Sequence, residues 1–391
     1  MSGLDRTSGL KGADVLVTGG AGFIGSHLVD ELVRRGAASV TVVDNLVNGR
    51  RANLAHHLDD AAANGANGAD GTGAHAGTVR LVADDIRSEA ALALVDGADV
   101  VFHLACLGVR HSLHDPRENH EVNATATLEL LERARAAGVG RFVHVSSSEV
   151  FGTAQYAPMD EKHPTWPETV YGGSKLAGEA YARAGFRTHG MPVVVVRPFN
   201  TFGPRSHFEG DSGEVLPRTI VRALCGLPGF VYGDGEQTRD FLHVTDTARA
   251  LADIAEADAA VGRTVNVGSG AEVTINELVD TVARLAGRPD LEPVRLEARP
   301  GDVRRLLVDN TLVKELTGFE PRTSFEQGVA DLVDWFRSRP ESPEEMLSRI
   351  EDRNWVASSP DATDTADAVD TPDANDTADA ADEPAPAGVV A

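Results

Sequence analysis

Short apolar runs rich in valine punctuate the first half of the chain, at Asp14 to Val17, Val40 to Val43, Val79 to Val82, Val100 to Leu104, Phe142 to Val145 and Val193 to Val196. Runs that stay apolar, instead of alternating, suit strands covered on both faces. Between them, apolar residues recur at three- and four-residue spacing in Ser26 to Arg35, Glu89 to Val95, Glu118 to Ala137 and Val170 to Thr188. The first of these helices turns Leu28, Val29, Leu32 and Val33 toward one side. Strands alternating with helices predict an α/β fold with a doubly wound parallel sheet, here over residues 13–198. From about Asn200 short strands and helices mix, including helices at Asn276 to Leu285 and Phe325 to Arg337. Residues 199–340 are therefore expected to form a smaller mixed α/β domain, with some chain crossing between the two.

Three segments lack any such pattern. Residues 1–12 read as an N-terminal extension. Residues 59–78 carry Gly65, Gly68, Gly71, Gly73 and Gly77 among Ala, Asn and Asp and offer nothing large to bury, which predicts a flexible insertion. Residues 358–391 are an Ala/Asp/Thr/Pro run, read as a disordered acidic tail because burial there cannot offset the entropy of ordering.

Composition narrows the function. With 391 residues and 42% hydrophobic content the chain can bury a sizeable core. Sixty acids against 36 basic residues give a formal charge of −24, which argues against nucleic acid as a partner. Cys106 and Cys225 are too few for a disulfide framework and read as small buried hydrophobes in a reducing compartment. No signal-peptide core or membrane-length apolar stretch is seen, so a cytoplasmic protein with no membrane partner is expected. No metal-ligand spacing is visible.

Two constellations carry chemistry. Gly19, Gly22 and Gly25 follow the first strand and open the first helix, where bare backbone permits a tight turn and close approach to a pyrophosphate. The next strand ends in Asp44, placed to bind the ribose hydroxyls of NAD. Arg50 and Arg51 keep NADP open. Farther on, Tyr171 and Lys175 are four apart on a predicted helix and share a face, so the ammonium can favour the phenolate and make Tyr171 a base. Ser146-Ser147-Ser148-Glu149 follows the strand ending at Val145 and so meets the ligand crevice.

Those segments, with Asp85-Ile86-Arg87, Phe102-His103-Leu104-Ala105, Arg197 to Arg205, Gln237 to Phe241 and Arg299-Pro300-Gly301-Asp302, resemble the extended short-chain dehydrogenase/reductases that modify nucleotide sugars. The resemblance spans roughly residues 12 to 338. It implies a Rossmann fold holding NAD at Gly19, Gly22, Phe23, Ile24, Gly25, Asp44, Asn45, Asp85, Ile86, Leu104 and Ala105, with Tyr171 and Lys175 beside the nicotinamide. It implies a nucleotide sugar, a UDP-sugar first, with dTDP and GDP open, contacted by Arg110, Asn200, Leu216, Tyr232, Arg239 and Arg299. It implies a homodimer built on Glu118 to Ala137 and Val170 to Thr188.

The implied chemistry is oxidation at C4, with Tyr171 as base, Lys175 at its side and Ser147 on the sugar O4. The resulting ketone acidifies C5. Ser148 and Glu149 match the pair that dehydratases and decarboxylases of this family use for elimination, whereas epimerases need no carboxylate there. Gly108 to Ser112 and Asp115-Pro116 instead resemble a loop of bacterial 4-epimerases. Elimination is the leading expectation, 4-epimerisation the alternative, and a non-catalytic NAD-sensing regulator is disfavoured by the intact Ser147, Tyr171 and Lys175.

Overall fold

A computed structural model describes residues 9–58, 78–298 and 303–350. The expected acidic tail, residues 1–8 of the extension, residues 59–77 of the expected insertion, and Arg299 lie outside the described residues. In chain order the strands are β1 (Asp14–Thr18), β2 (Ser39–Asp44), β3 (Thr78–Ala83), β4 (Val100–His103), β5 (Arg141–Val145), β6 (Val193–Pro198), β7 (Asn200–Phe202), β8 (Phe230–Tyr232), β9 (Thr238–His243), β10 (Thr264–Val267), β11 (Glu272–Thr274) and β12 (Val294–Leu296).

β1 to β6 and β10 make one parallel sheet in the order β10-β6-β5-β4-β1-β2-β3. The valine runs are the reason. Val15, Val17, Val40, Val42, Val100, Val143, Val194 and Val196 fill one face of the sheet, while Leu16, Val43, Val101, Phe142, Val193 and Val195 fill the other. Each face needs a helical cover, and helix Phe23–Arg34 supplies part of the first with Leu28, Val29 and Leu32 fully buried. Burying one such side chain contributes roughly 1.5–3 kcal/mol. Val33 packs only at the margin of that cluster.

The sequence placed most elements within a residue or two, and three differ for identifiable reasons. Helix Phe23–Arg34 starts three residues ahead of Ser26, because extended Gly22 already serves as its N-cap. The segment from Glu118 to Ala137 is not one α-helix: a turn at Pro116–His120 passes through a π-helical turn at Glu121–Thr125 into helix Ala126–Ala137. That irregularity turns Asn119 and Asn123 inward onto the backbone carbonyl of Leu107 at 3.0 and 2.9 Å. Helix Glu89–Ala93 gives way to a 3₁₀ turn at Leu94–Gly97, stopping short of Val95.

The second half of the chain is threaded into the first. β10 pairs with β6, and helix Val244–Glu256 packs Leu251 and Ile254 into the same cluster as Leu28 and Leu32. β7, β9 and β11 form a small mixed sheet, and β8 pairs with β12. A separate core of Phe202, Ile220, Val231, Leu278 and Leu332 lies under helices Val215–Leu224, Ile275–Leu285 and Phe325–Arg337. Among the described residues no helix is long and apolar enough to cross a membrane.

Candidate active site

The carboxyl ends of β1, β2, β4 and β5 open into a cavity of about 550 Å³. Gly19, Gly22, Phe23, Ile24, Gly25, Asp44, Asn45, Asp85, Ile86, Leu104 and Ala105 all line it. Gly19 adopts φ 72°, and a Cβ there would meet the Ala105 backbone nitrogen at 2.7 Å. At Gly25 a Cβ would overlap the Gly19 carbonyl oxygen. The turn is thus a cradle of bare backbone at the helix N-terminus, shaped for an anion.

Asp44 is almost fully buried, and its carboxylate accepts the N–H of Ala21 at 3.0 Å and of Leu46 at 2.9 Å. Burial pushes its pKa up despite those bonds. Asp85 is the opposite case: the Arg87 fork holds it at 2.8 and 2.7 Å and brings its pKa down to about 2. Arg50 pairs with Glu209, and neither Arg50 nor Arg51 lines the cavity. The positive charge that would favour a 2′-phosphate is turned elsewhere.

Ser147, Tyr171 and Lys175 line the same cavity. Thr169 caps helix Val170–His189 by accepting the Gly172 N–H at 3.2 Å, which brings Tyr171 into the first turn and Lys175 one turn later. Ser174 locks that turn to Asn119 and Asn123, each at 3.2 Å. Ser147 and the thiol of Cys106 both act on the Tyr171 hydroxyl.

Here the structure corrects the electrostatics expected from sequence. The Tyr171 phenol is pushed well above its usual pKa, chiefly by burial, with Cys106 and Glu149 adding in the same direction and Ser147 opposing. The Lys175 ammonium is buried and donates to the Val145 carbonyl at 2.7 Å, and burial lowers its pKa. Desolvation outweighs the attraction that the i, i+4 spacing promised. Cys106 is a second correction: it is partly buried in the cavity wall, and is no core hydrophobe. Cys225 is likewise only partly buried.

A buried network fixes the serine turn. Ser146 donates to Glu179 at 2.7 Å, and Arg197 grips the same carboxylate at 2.7 and 2.6 Å, with Arg183 at 2.9 Å. Ser147 accepts the Glu149 N–H at 3.2 Å and starts a one-turn 3₁₀ helix, Ser148–Val150. Ser148 is buried and Glu149 half-buried. Neither lines the cavity, yet the Glu149 charge reaches the Tyr171 phenol. Beneath Lys175, His103 bridges Thr18 and Thr127 at 2.8 Å each, and burial pulls its pKa to about 3.

Asn200, Leu216, Tyr232 and Arg239 line a second cavity of about 240 Å³. The Asn200 Oδ1 atom is buried there without a hydrogen-bond partner among the described residues, an acceptor awaiting a donor. Arg110 lines both cavities, as do Thr201 and Glu214. Glu214, Thr201, His207 and Cys106 were not singled out from sequence as site residues. No local spacing marks them, since each arrives by tertiary convergence; only the neighbourhood of Leu104-Ala105 pointed toward Cys106. Away from both cavities, Asp30, His56 and His57 place ligand-type atoms within 4.8 Å of one another, a grouping with no sequence spacing to announce it. Arg205 occupies the other oxygen of Asp30 at 2.9 Å.

The model of the GDP-mannose 4,6 dehydratase family matches residues 16–332. The chain is 35% identical over 328 residues to UDP-glucose 4-epimerase of Mycolicibacterium smegmatis, covering 83% of this chain and 98% of that protein. It is equally 35% identical over 333 residues to dTDP-glucose 4,6-dehydratase of Actinoplanes sp., with the same coverage. Among solved structures, the dTDP-glucose 4,6-dehydratase of Streptomyces venezuelae with NAD bound superposes with a TM-score of 0.73 at 32% identity, covering 83% of this chain and 97% of that one.

Proposed function

This chain belongs to the GDP-mannose 4,6-dehydratase family of NAD-dependent nucleotide-sugar epimerases and dehydratases, and within it we propose that the enzyme oxidises its sugar at C4 and then eliminates across C5 and C6. The glycine cradle and Asp44 would hold NAD, which supplies the hydride acceptor and a positively charged ring when bound. The sugar nucleotide, a UDP-sugar first, would lie along Asn200, Leu216, Tyr232 and Arg239. Burial alone keeps the Tyr171 phenol neutral; beside the positive charge of the NAD ring it would ionise, and its phenolate would take the proton of the C4 hydroxyl, which Ser147 orients. The buried Lys175 ammonium holds its own geometry against Val145 while stabilising negative charge nearby.

The observation that carries the elimination is Glu149. Its charge acts on Tyr171 and its backbone N–H is held by the Ser147 hydroxyl, so a second carboxylate stands on the turn that carries Ser147. With C4 a ketone, the Glu149 carboxylate would accept the C5 proton as the C6 hydroxyl leaves as water; the hydride taken from C4 would return to C6 and a solvent proton to C5, leaving a 4-keto-6-deoxy sugar with no net redox change. The competing reading is 4-epimerisation, supported by the resemblance of Gly108 to Ser112 and Asp115-Pro116 to a loop of bacterial 4-epimerases; the equal 35% identities to an epimerase and a dehydratase favour neither. It needs no second base.

A panel of UDP-, dTDP- and GDP-sugars read by mass spectrometry and proton NMR separates them. Loss of one water marks dehydration and loss of carbon dioxide decarboxylation. An unchanged mass with an altered H4 coupling marks epimerisation. Deuterated solvent should label the eliminated product and leave an epimerised one unlabelled at carbon. Glu149→Gln should cut elimination by about 100-fold or more, because an amide cannot accept the proton. Elimination at the wild-type rate in Glu149→Gln would remove Glu149 as base.

We also propose a homodimer. Leu128 on helix Ala126–Ala137 and Val170 at the head of the next long helix remain exposed, as does Trp166 just before it. Light scattering should return twice the chain mass, and a monomer would refute the assembly.

A further inference from the structure

The two cavities meet at Arg110, Thr201 and Glu214. If the enzyme acts on a nucleotide sugar as proposed, the reading on which this inference rests, the nicotinamide lies in the first cavity and the nucleotide in the second. The sugar must then span the junction. Glu214 enters it from the turn before helix Val215–Leu224, and its backbone N–H is tied to the His207 carbonyl at 2.9 Å. A carboxyl group is therefore held against the sugar itself. We propose that Glu214 reads the charge of the sugar, admitting a neutral hexose with a hydroxyl at C6 and turning away a hexuronate.

The physical ground is that a sugar hydroxyl can donate to a carboxylate and accept from a carboxylic acid, whereas a uronate can do only the latter. Two carboxylates forced into one partly buried junction repel unless one takes up a proton. Arg110 is the charged group that acts on Glu214; His111, His207, Tyr171 and Lys175 line the first cavity and Arg239 the second, with Arg50 and Glu209 paired near His207. Burial lifts the Glu214 pKa to about 8 against the pull of Arg110. The acid is then mostly neutral at pH 6.5 and tolerates either sugar. It ionises as pH rises through 8, and from there a uronate must bring a proton with it. Of the two eliminations, this places water loss from C6 ahead of decarboxylation once Glu214 is ionised.

The test is the affinity of the NAD-loaded full-length enzyme for UDP-glucose and UDP-glucuronate, by calorimetry between pH 6.5 and 9. Taking the ratio at each pH cancels titrations that affect both ligands alike. Between pH 7 and 9 the ratio should move about tenfold toward UDP-glucose, one pH unit beyond the pKa giving one factor of ten. In Glu214→Gln, which keeps shape, the ratio should be flat, and in Glu214→Arg it should favour the uronate. A wild-type ratio that stays flat with pH, or one that moves equally in Glu214→Gln, overturns the proposal while leaving the nucleotide-sugar reading in place. The pair is run on the nucleotide that the panel selects, and binding of neither sugar on any of UDP, dTDP and GDP overturns both.

Discussion

Replacing Arg197 with methionine isolates the network under the serine turn. Glu179 has no exposed surface and Arg197 is 3% exposed at the side chain, so the pair is beyond the reach of solvent screening. The substitution leaves Glu179 with Ser146 and the partly exposed Arg183, and stranding a buried charge in this way costs about 3–5 kcal/mol. At roughly 2 °C per kcal/mol, as suits a long chain, the melting temperature should fall by about 6–10 °C. Protonation gives a second signature. In the wild type burial pushes the Glu179 pKa up, but Arg197, Ser146 and Arg183 together outweigh it and hold the pKa below its ordinary value, so the network adds stability above the unfolded pKa and loses it as pH falls through the folded one. Without Arg197 burial wins and the pKa rises above the unfolded value, so the deficit should be largest at neutral pH and shrink as the carboxyl protonates in mild acid. Arg197→Met with Glu179→Leu should regain much of the loss, since no charge is left stranded. Circular-dichroism melts at pH 7 and pH 5 decide it. A shift under 2 °C for the single variant, or a double variant as unstable as the single, would refute the reasoning.

Tyr171→Phe should lower turnover by about 100-fold or more with nucleotide binding nearly intact, as expected for loss of a general base; equal turnover by steady-state assay would exclude that role. Gly25→Ala should yield folded protein without retained NAD, because the new methyl overlaps the Gly19 carbonyl; chromatography of the denatured supernatant measures it, and a full complement of NAD would show the turn to be yielding. A thiol reagent should inactivate the enzyme through Cys106 and substrate should slow it, while Cys106→Ala should resist; equal inactivation of that variant would place the reactive group elsewhere.

What was legible in the sequence was local. Gly19, Gly22, Gly25 and Asp44 stand at spacings fixed by a strand, a turn and a helix, and Tyr171 and Lys175 at a spacing fixed by one helical turn, so the chain order already states their geometry. Asn200, Leu216, Tyr232 and Arg239 were reachable through the resemblance, and the fold does bring all four to one cavity. The electrostatics were not legible, because desolvation of Tyr171 and Lys175 depends on what the rest of the chain packs over them. Glu214 was missed because it comes to the site from far along the chain, and Cys106, although next to Ala105, because only the packing shows that it reaches the cavity wall. The π-helical turn at Glu121–Thr125 follows from Asn119 and Asn123 choosing the Leu107 loop over helical regularity, a choice that no propensity scale records.

The insertion of β10 beside β6 has a consequence for how the protein can be made. On the ribosome, everything from Phe199 to Arg263 must emerge before the Val193–Val196 strand acquires its neighbour. Until then a valine-rich ladder stands open at one border of the nascent sheet, a template for pairing with other chains. A product truncated anywhere before Thr264 keeps that border open for good. Expressing residues 13–198 as a free cofactor-binding module should therefore give insoluble material, whereas a break after Val267 leaves the large sheet with all seven strands and β6 covered.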